Sequence, residues 1–143
     1  MKDLVVINWR RYPDFFALWS AHGTEPKLVY AIGESHDCYI GSVGSRGGRG
    51  GLRARYEKQY LDRARAIFGQ RVPRDQPAFA GLFADSDHID QRHIISAEAD
   101  VQNAFITRHG KNAALFEPEL HVDGVEVKHQ GEVPAFLRGT DGT

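Results

Sequence analysis

The residues best suited to chemistry in this chain are a group of basic side chains beside a run of glycines. Six of the 15 glycines fall between residues 41 and 51. Between residues 41 and 65, seven Lys or Arg stand against two Asp or Glu, although the whole chain has a formal net charge of −1. Arginine offers a planar fork of donors that matches phosphate oxygens. A local basic patch attracts anions even on a nearly neutral protein, so the pattern predicts a phosphate-binding segment.

This glycine-rich segment does not have the pattern of a nucleotide-binding loop. The sequence GSVGSRGGRGG, residues 41–51, lacks the Gly-Lys-Ser/Thr ending of a P-loop and does not fit G-x-G-x-x-G. A flexible segment of Arg and Gly can instead contact a nucleic-acid backbone. We therefore predict nucleic-acid contacts at Gly41, Arg46, Arg49 and Lys58. A solvated helix face next to a basic loop is the alternative interpretation.

Two other groupings of residues invite a metal or a nucleophile. The segment DSDHIDQRH, residues 85–93, holds His88 and His93 among aspartates, but the spacing matches no zinc pattern. Cys38 lies near His36, and strand alternation would hold both side chains on one face without contact. Because Cys38 is the one cysteine, an intramolecular disulfide framework and a multi-cysteine zinc cage are both excluded.

The composition is that of an ordinary globular protein. Hydrophobic residues make up 41% and charged residues 26% of 143 residues, which suits one domain over 1–143. No apolar run approaches the roughly 18 residues of a membrane span. The N-terminal residues 1–16 do not have the long apolar run of a signal peptide. Together with the single cysteine, these features predict a cytoplasmic protein with no membrane association.

The hydrophobic pattern predicts an α+β chain. Strand-forming residues at 28–32 and 38–41 flank the polar turn 34–37, so they are expected to form a hairpin. The spacing of apolar residues predicts three helices, and apolar runs predict a third strand and a C-terminal hairpin around Asp-Gly. In chain order these are a helix over 13–21, a helix over 52–69, a strand over 78–84, a helix over 97–109 capped by Ser96, and a hairpin over 121–127. Residues after Val133 are expected to fray.

The hairpin carries a pair of short motifs that resemble a known family. Val29-Tyr30-Ala31-Ile32 is followed, nine residues after Tyr30, by Tyr39-Ile40-Gly41. These segments resemble the paired motifs of the GIY-YIG nuclease superfamily, and the resemblance covers about residues 27–113. It implies a small three-stranded antiparallel sheet flanked by helices, here with an N-terminal helical extension and the C-terminal hairpin. It also implies a DNA endonuclease.

The resemblance assigns catalytic roles in the first half of the chain. Tyr30 and Tyr39 take the places of the two motif tyrosines. The family's arginine at the start of the next helix corresponds to Arg55, which has Leu three residues before it, and Arg53 is the alternative. A His or Tyr often follows the arginine by four residues. Gln59 stands at that position, with Tyr60 beside it as the candidate.

In the second half, the resemblance implies a metal-binding Glu on a later helix and an Asn shortly after that helix. Glu98 and Asn112 stand at these places. Asp100 and Gln102 are the alternatives if the helix has a different register. A single Mg²⁺ or Mn²⁺ on one carboxylate, with most of its waters kept, suits the way Mg²⁺ is usually bound.

These roles combine into one hypothesis for phosphodiester hydrolysis. Tyr30 aligns or deprotonates the attacking water, Arg55 clamps the phosphate, and Glu98 holds the metal. Tyr39 orders the site through its hydroxyl and Asn112 orients its neighbours. The partner would be DNA, with specificity supplied by a homodimer or another protein. The two alternatives are a catalytically inactive nucleic-acid-binding module on the same fold and a protein-interaction domain.

Overall fold

A computed structural model describes residues 3–35, 38–44, 52, 76–114, 116 and 124–138. Within these ranges, the complete regular elements are five strands, two helices and three single turns of 3₁₀ helix. The strands and helices are, in chain order, β1 (Asp3–Tyr12), α1 (Phe15–His22), β2 (Leu28–Ile32), β3 (Tyr39–Val43), β4 (Ala78–Phe83), α2 (Gln91–His109) and β5 (Val125–Gly131). The 3₁₀ turns are Ser86–His88, Lys111–Ala113 and Ala135–Leu137.

The five strands form one mixed sheet in the order β3-β2-β4-β1-β5. β2 is antiparallel to β3 and to β4, β4 is antiparallel to β1, and β1 is parallel to β5. The α+β class is confirmed, but the predicted three-stranded antiparallel sheet is wrong. The N-terminal extension is not purely helical either. Val5, Ile7 and Trp9 alternate with more exposed residues, so β1 buries one face against the core and extends the sheet beyond β4.

Each face of the sheet is covered by one of the two helices. Val29 and Ala31 of β2 lie in the hydrophobic cluster that includes α2, whereas Leu28, Tyr30 and Ile32 lie in the cluster that includes α1. All five residues of β2 are therefore buried. The predicted helix over 13–21 is observed as α1, and Asp14 caps it by accepting a hydrogen bond from the Ala17 amide at 2.9 Å.

α2 begins earlier than the sequence pattern predicts. Asp90 is its N-cap and accepts from the His93 amide, while the His93 ring accepts from the Asp90 amide. This reciprocal capping box starts the helix at Gln91. The prediction that Ser96 caps the helix is wrong, since Ser96 is buried in its first turns.

The C-terminal region also differs from the prediction. β5 pairs with β1, which lies more than 100 residues away in sequence, and the pairing is parallel. The antiparallel pairing predicted for the second strand of the hairpin over 121–127 is therefore wrong. The first strand of that hairpin, residues 121–123, lies outside the described residues. The chain after Val133 does not fray at once: Phe136 and Leu137 are buried against α2 and the core. Neither described helix is long and apolar enough to cross a membrane.

Candidate active site

The β2–β3 hairpin brings together the two predicted catalytic tyrosines and the motif glycine. Tyr30 pairs with Gly41 across the hairpin, and the rings of Tyr30 and Tyr39 have centroids 6.0 Å apart. A Cβ atom at Gly41 would lie 2.8 Å from the Tyr30 hydroxyl oxygen and 3.1 Å from the Tyr39 ring. The Tyr30 side chain therefore lies across Gly41, and the glycine is needed for this close approach.

The two tyrosines differ in exposure. Tyr30 is fully buried, 6.2 Å from the ring of Phe15 in α1, whereas Tyr39 is half-buried. Both rings lie on the face of the sheet that α1 covers. Of the pair, Tyr39 is therefore the side chain that water and a substrate can approach more readily, the reverse of the roles that the resemblance implies.

Glu98, the predicted metal ligand, is held against β3 by two neutral donors. Its side chain lies on α2, and the residue is 8% exposed. The Ser42 hydroxyl donates to one carboxylate oxygen, and the Gln102 amide donates to the other at 3.1 Å. Gln102 also donates to the Ile40 carbonyl oxygen at 3.1 Å. These contacts fix the direction of the carboxylate relative to the strand that carries Tyr39.

The tyrosines and Glu98 approach β3 from opposite faces of the sheet. Tyr39 and Gly41 belong to the α1 face, and Ser42 points to the α2 face because strand residues alternate. β3 is the outermost strand on its side of the described sheet. Groups from the two faces can meet only around the outer edge of this strand, so a site that uses both the tyrosines and Glu98 would have to lie at that edge.

The other predicted site residues divide into two groups. Asn112 lies in the 3₁₀ turn that follows α2 and is exposed. The remaining candidates are all outside the described residues: Arg46, Arg49, Arg53, Arg55, Lys58 and Tyr60. Of the predicted helix over 52–69 only Leu52 is described, and it is buried in the α1-face cluster.

The alternative ligand Asp100 is already engaged elsewhere. Its carboxylate lies 2.7 Å from His129 Nε2, and His129 Nδ1 accepts from the Trp9 indole at 2.9 Å. Because an indole N–H can only donate, His129 Nδ1 is the acceptor in this contact, and Nε2 donates a hydrogen bond to the Asp100 carboxylate. This chain of hydrogen bonds ties α2 to β1 and β5, away from the hairpin.

Two neighbouring residues of the segment 85–93, Arg92 and His93, connect the start of α2 to β1. His93 Nε2 lies 3.2 Å from the Asp3 carboxylate, and Arg92 donates to the same carboxylate at 2.6 Å. Hydrogen bonds from His93 and then Arg92 lower the pKa of Asp3 below its usual value. Within the described ranges, no group of three or more His, Cys, Asp or Glu side chains could hold a metal ion.

Cys38 has the surroundings of a structural thiol. It is fully buried, its sulfur lies 3.5 Å from the Gly33 carbonyl oxygen, and burial raises the pKa of the thiol. His36, the other member of the Cys–His pair considered from the sequence, lies outside the described residues.

Ser42 is the site residue that sequence reasoning missed. It directly follows Gly41, at a position that alternation turns toward α2, and its hydroxyl meets Glu98. Ser42 follows Ile40 and Gly41 and precedes Val43 in a strand that is buried on both faces. A polar residue at such a position is the signal that could have identified it.

Comparisons of this chain with protein-family models, with curated proteins and with solved structures found no match.

Replacing Gly41 by Ala should destabilise the hairpin and displace the Tyr30 ring. The added methyl group meets ring atoms within 3.1 Å, and overpacking of this kind costs about 1–3 kcal/mol. Urea unfolding measures the loss. Gly110→Ala gives a comparison with a different cause, because a Cβ there meets nothing within 4 Å and its cost comes from the positive φ of 85° alone. A Gly41→Ala protein as stable as the unmodified chain would contradict the described packing.

Proposed function

We propose that this protein is a metal-dependent endonuclease that hydrolyses DNA phosphodiester bonds at the edge of β3. One observation carries the proposal: Tyr30 of β2 and Tyr39 of β3 pack over Gly41, and the next residue of β3, Ser42, donates to the buried carboxylate of Glu98. The spacing of these residues along the chain is the one that the GIY-YIG resemblance implies. The order β3-β2-β4, with all three strands antiparallel, supports the same reading.

The donor set at Glu98 fits a hard divalent cation. An ionised carboxylate supplies hard oxygen atoms, the ligands that Mg²⁺ prefers, and the donors from Ser42 and Gln102 hold this carboxylate in place. Glu98 would therefore hold Mg²⁺ or Mn²⁺ through one carboxylate, with water and substrate oxygens as the other ligands. When bound, the metal supplies Lewis-acid stabilisation of the leaving oxygen.

The chain's own residues supply the binding and the proton handling. Arg55, or Arg53 in its place, donates to the phosphate oxygens and stabilises the charge that builds up there in the transition state. Tyr39, the more exposed tyrosine, orients the attacking water, and Tyr30 fixes the Tyr39 ring from beneath. A tyrosine side chain accepts the proton of that water only when neighbouring cations favour its phenolate.

A plasmid-nicking assay tests this function. Purified protein with Mg²⁺ or Mn²⁺ should convert supercoiled plasmid to the open circle, and a chelator should stop the reaction. Tyr39→Phe keeps the ring and removes the hydroxyl, so it should slow nicking by about 10²–10⁴-fold if the tyrosine handles the proton. Tyr12→Phe is the matched control, because Tyr12 is a tyrosine of β1 whose hydroxyl contacts His22.

A nucleic-acid-binding module that does not cleave is the second candidate. The full burial of Tyr30 and the placement of Glu98 on the opposite face from the tyrosines favour it. Such a module would bind DNA with an affinity that falls steeply as salt rises, because phosphate contacts release counterions. Binding of this kind without nicking in either metal would select the module, and the absence of salt-sensitive binding would favour a protein-interaction domain.

A further inference from the structure

The outer edge of β5 has backbone hydrogen-bonding groups that no described residue pairs with. The Asp3 amide donates to the Gly124 carbonyl at 2.8 Å, and the Glu132 amide donates to the Trp9 carbonyl at 2.9 Å. In a parallel pair, alternate residues direct both backbone groups toward the neighbouring strand. The backbone N–H and C=O groups of the even-numbered residues of β5 therefore point toward β1. The same groups of Val125, Val127 and His129 point outward, where no described residue pairs with them.

Among the described residues, a groove beside this edge reaches side chains on both faces of the sheet. A groove of about 1260 Å³ is lined by consecutive β5 residues, Glu126 to His129, whose side chains alternate between the two faces. The same groove includes Leu4 of β1, which is 59% exposed, and Thr107 of α2. Within the described part of the chain, this groove leaves the outer edge of β5 accessible to a further strand.

The side chains of β5 are complementary to those of a second copy of β5. In an antiparallel pairing with a two-fold axis at Val127, the residue opposite Glu126 is Lys128 of the other copy, and the reverse pair is identical by symmetry. Glu126 and Lys128 are both exposed and lie on the same face of the strand. Val127, which packs partly against the core, would meet its own copy across the axis.

The backbone groups agree with this register. Residues on the axis of an antiparallel pair can exchange two hydrogen bonds when their N–H and C=O groups point toward each other. Val127 has this outward orientation, whereas Glu126 and Lys128 fall in the closer, non-hydrogen-bonded positions, where opposite charges interact most strongly.

We propose that two copies of this chain form a symmetric dimer by antiparallel pairing of their β5 strands, centred on Val127. The product is a continuous ten-stranded sheet with the two hairpins at its far ends. The dimer depends on the β5 edge alone and does not rest on the proposed nuclease activity.

Sedimentation equilibrium on the full chain tests the proposal. The unmodified protein should show a concentration-dependent dimer at micromolar concentration. Glu126→Lys and Lys128→Glu each replace two attractive pairs by two repulsive ones, so each should raise the dimer dissociation constant by about tenfold. The double variant E126K/K128E restores opposite charges across the axis and should restore the dimer.

Val127→Pro is a second variant that acts on the backbone. It removes an outward N–H and leaves the hydrogen bonds to β1 in place, so it should abolish dimerisation. Circular dichroism checks that each variant is folded. A chain that stays monomeric throughout the micromolar range overturns the proposal. The proposal is also overturned if the dimer dissociation constant is the same for the unmodified chain, both single variants and the double variant, since such a dimer must use another surface.

Discussion

Replacing Glu98 by Gln is expected to lower the rate of metal-dependent plasmid nicking by at least about a hundredfold, with the fold retained. Gln has the shape of Glu, and its side-chain oxygen can still accept from the Ser42 hydroxyl, although its NH₂ group cannot accept from Gln102. The negative charge that would hold the cation is lost, however, and a neutral amide is a poor ligand for Mg²⁺ without other carboxylates. Initial nicking rates at saturating metal, with thermal unfolding measured in parallel, separate lost chemistry from lost stability.

Asp100→Asn is the matched control for Glu98→Gln. Asp100 lies on the same helix, and its carboxylate contacts His129 instead of β3. Its substitution should change stability through that hydrogen bond and leave the nicking rate of the folded protein within a few-fold of normal. If Asp100→Asn removed nicking and Glu98→Gln did not, the metal ligand would be Asp100 and the site would lie near β5.

Replacing Phe105 by Ala should cause a large loss of stability, about 3–5 kcal/mol in the free energy of unfolding. Phe105 is fully buried on α2, and its ring lies 5.2 Å from the ring of Phe136 and 6.0 Å from that of Phe116. Truncation leaves a cavity between α2 and the C-terminal turn and removes edge-to-face contacts of aromatic rings. Urea unfolding monitored by circular dichroism measures the change.

Ile106→Ala provides the comparison for Phe105→Ala. Ile106 is the next residue of α2 and is partly buried, so less apolar surface returns to water when it is truncated. Its loss of stability should be clearly smaller. Equal effects at the two positions would contradict the described orientation of α2 against the sheet.

The elements that could be predicted are those whose signals are local. The strand formers around residues 28–32, the polar turn after Gly33 and the Tyr-Ile-Gly segment are enough to predict the β2–β3 hairpin. The apolar run at Ala78–Phe83 is observed as the buried strand β4, as predicted. Such runs are informative because burial on both faces demands continuous apolar sequence.

The elements that could not be predicted depend on distant partners or on unusual local chemistry. The parallel pairing of β1 with β5 joins opposite ends of the chain, and Asp-Gly near residue 124 is a stronger local signal for a hairpin. α2 starts at Gln91 because His93 completes the capping box, a position where the familiar pattern has Glu or Gln.

The candidate site could be predicted only in part, for a similar reason. The family resemblance identifies Tyr30, Tyr39 and Glu98 as candidates, but the sequence does not reveal which face of the sheet each side chain occupies. That depends on strand register and on where α2 crosses β3. The contact between Ser42 and Glu98 defines that crossing.

A double-mutant cycle on Tyr39 and Glu98 is the most direct test that one site uses both faces of β3. Metal-dependent nicking rates would be compared for the unmodified chain, Tyr39→Phe, Glu98→Gln and the double variant. Residues that act as a unit are strongly non-additive, so the double variant should be scarcely slower than the slower single variant. An unmodified chain that nicks no plasmid with Mg²⁺ or Mn²⁺, or losses that multiply in the double variant, would contradict the proposed active site.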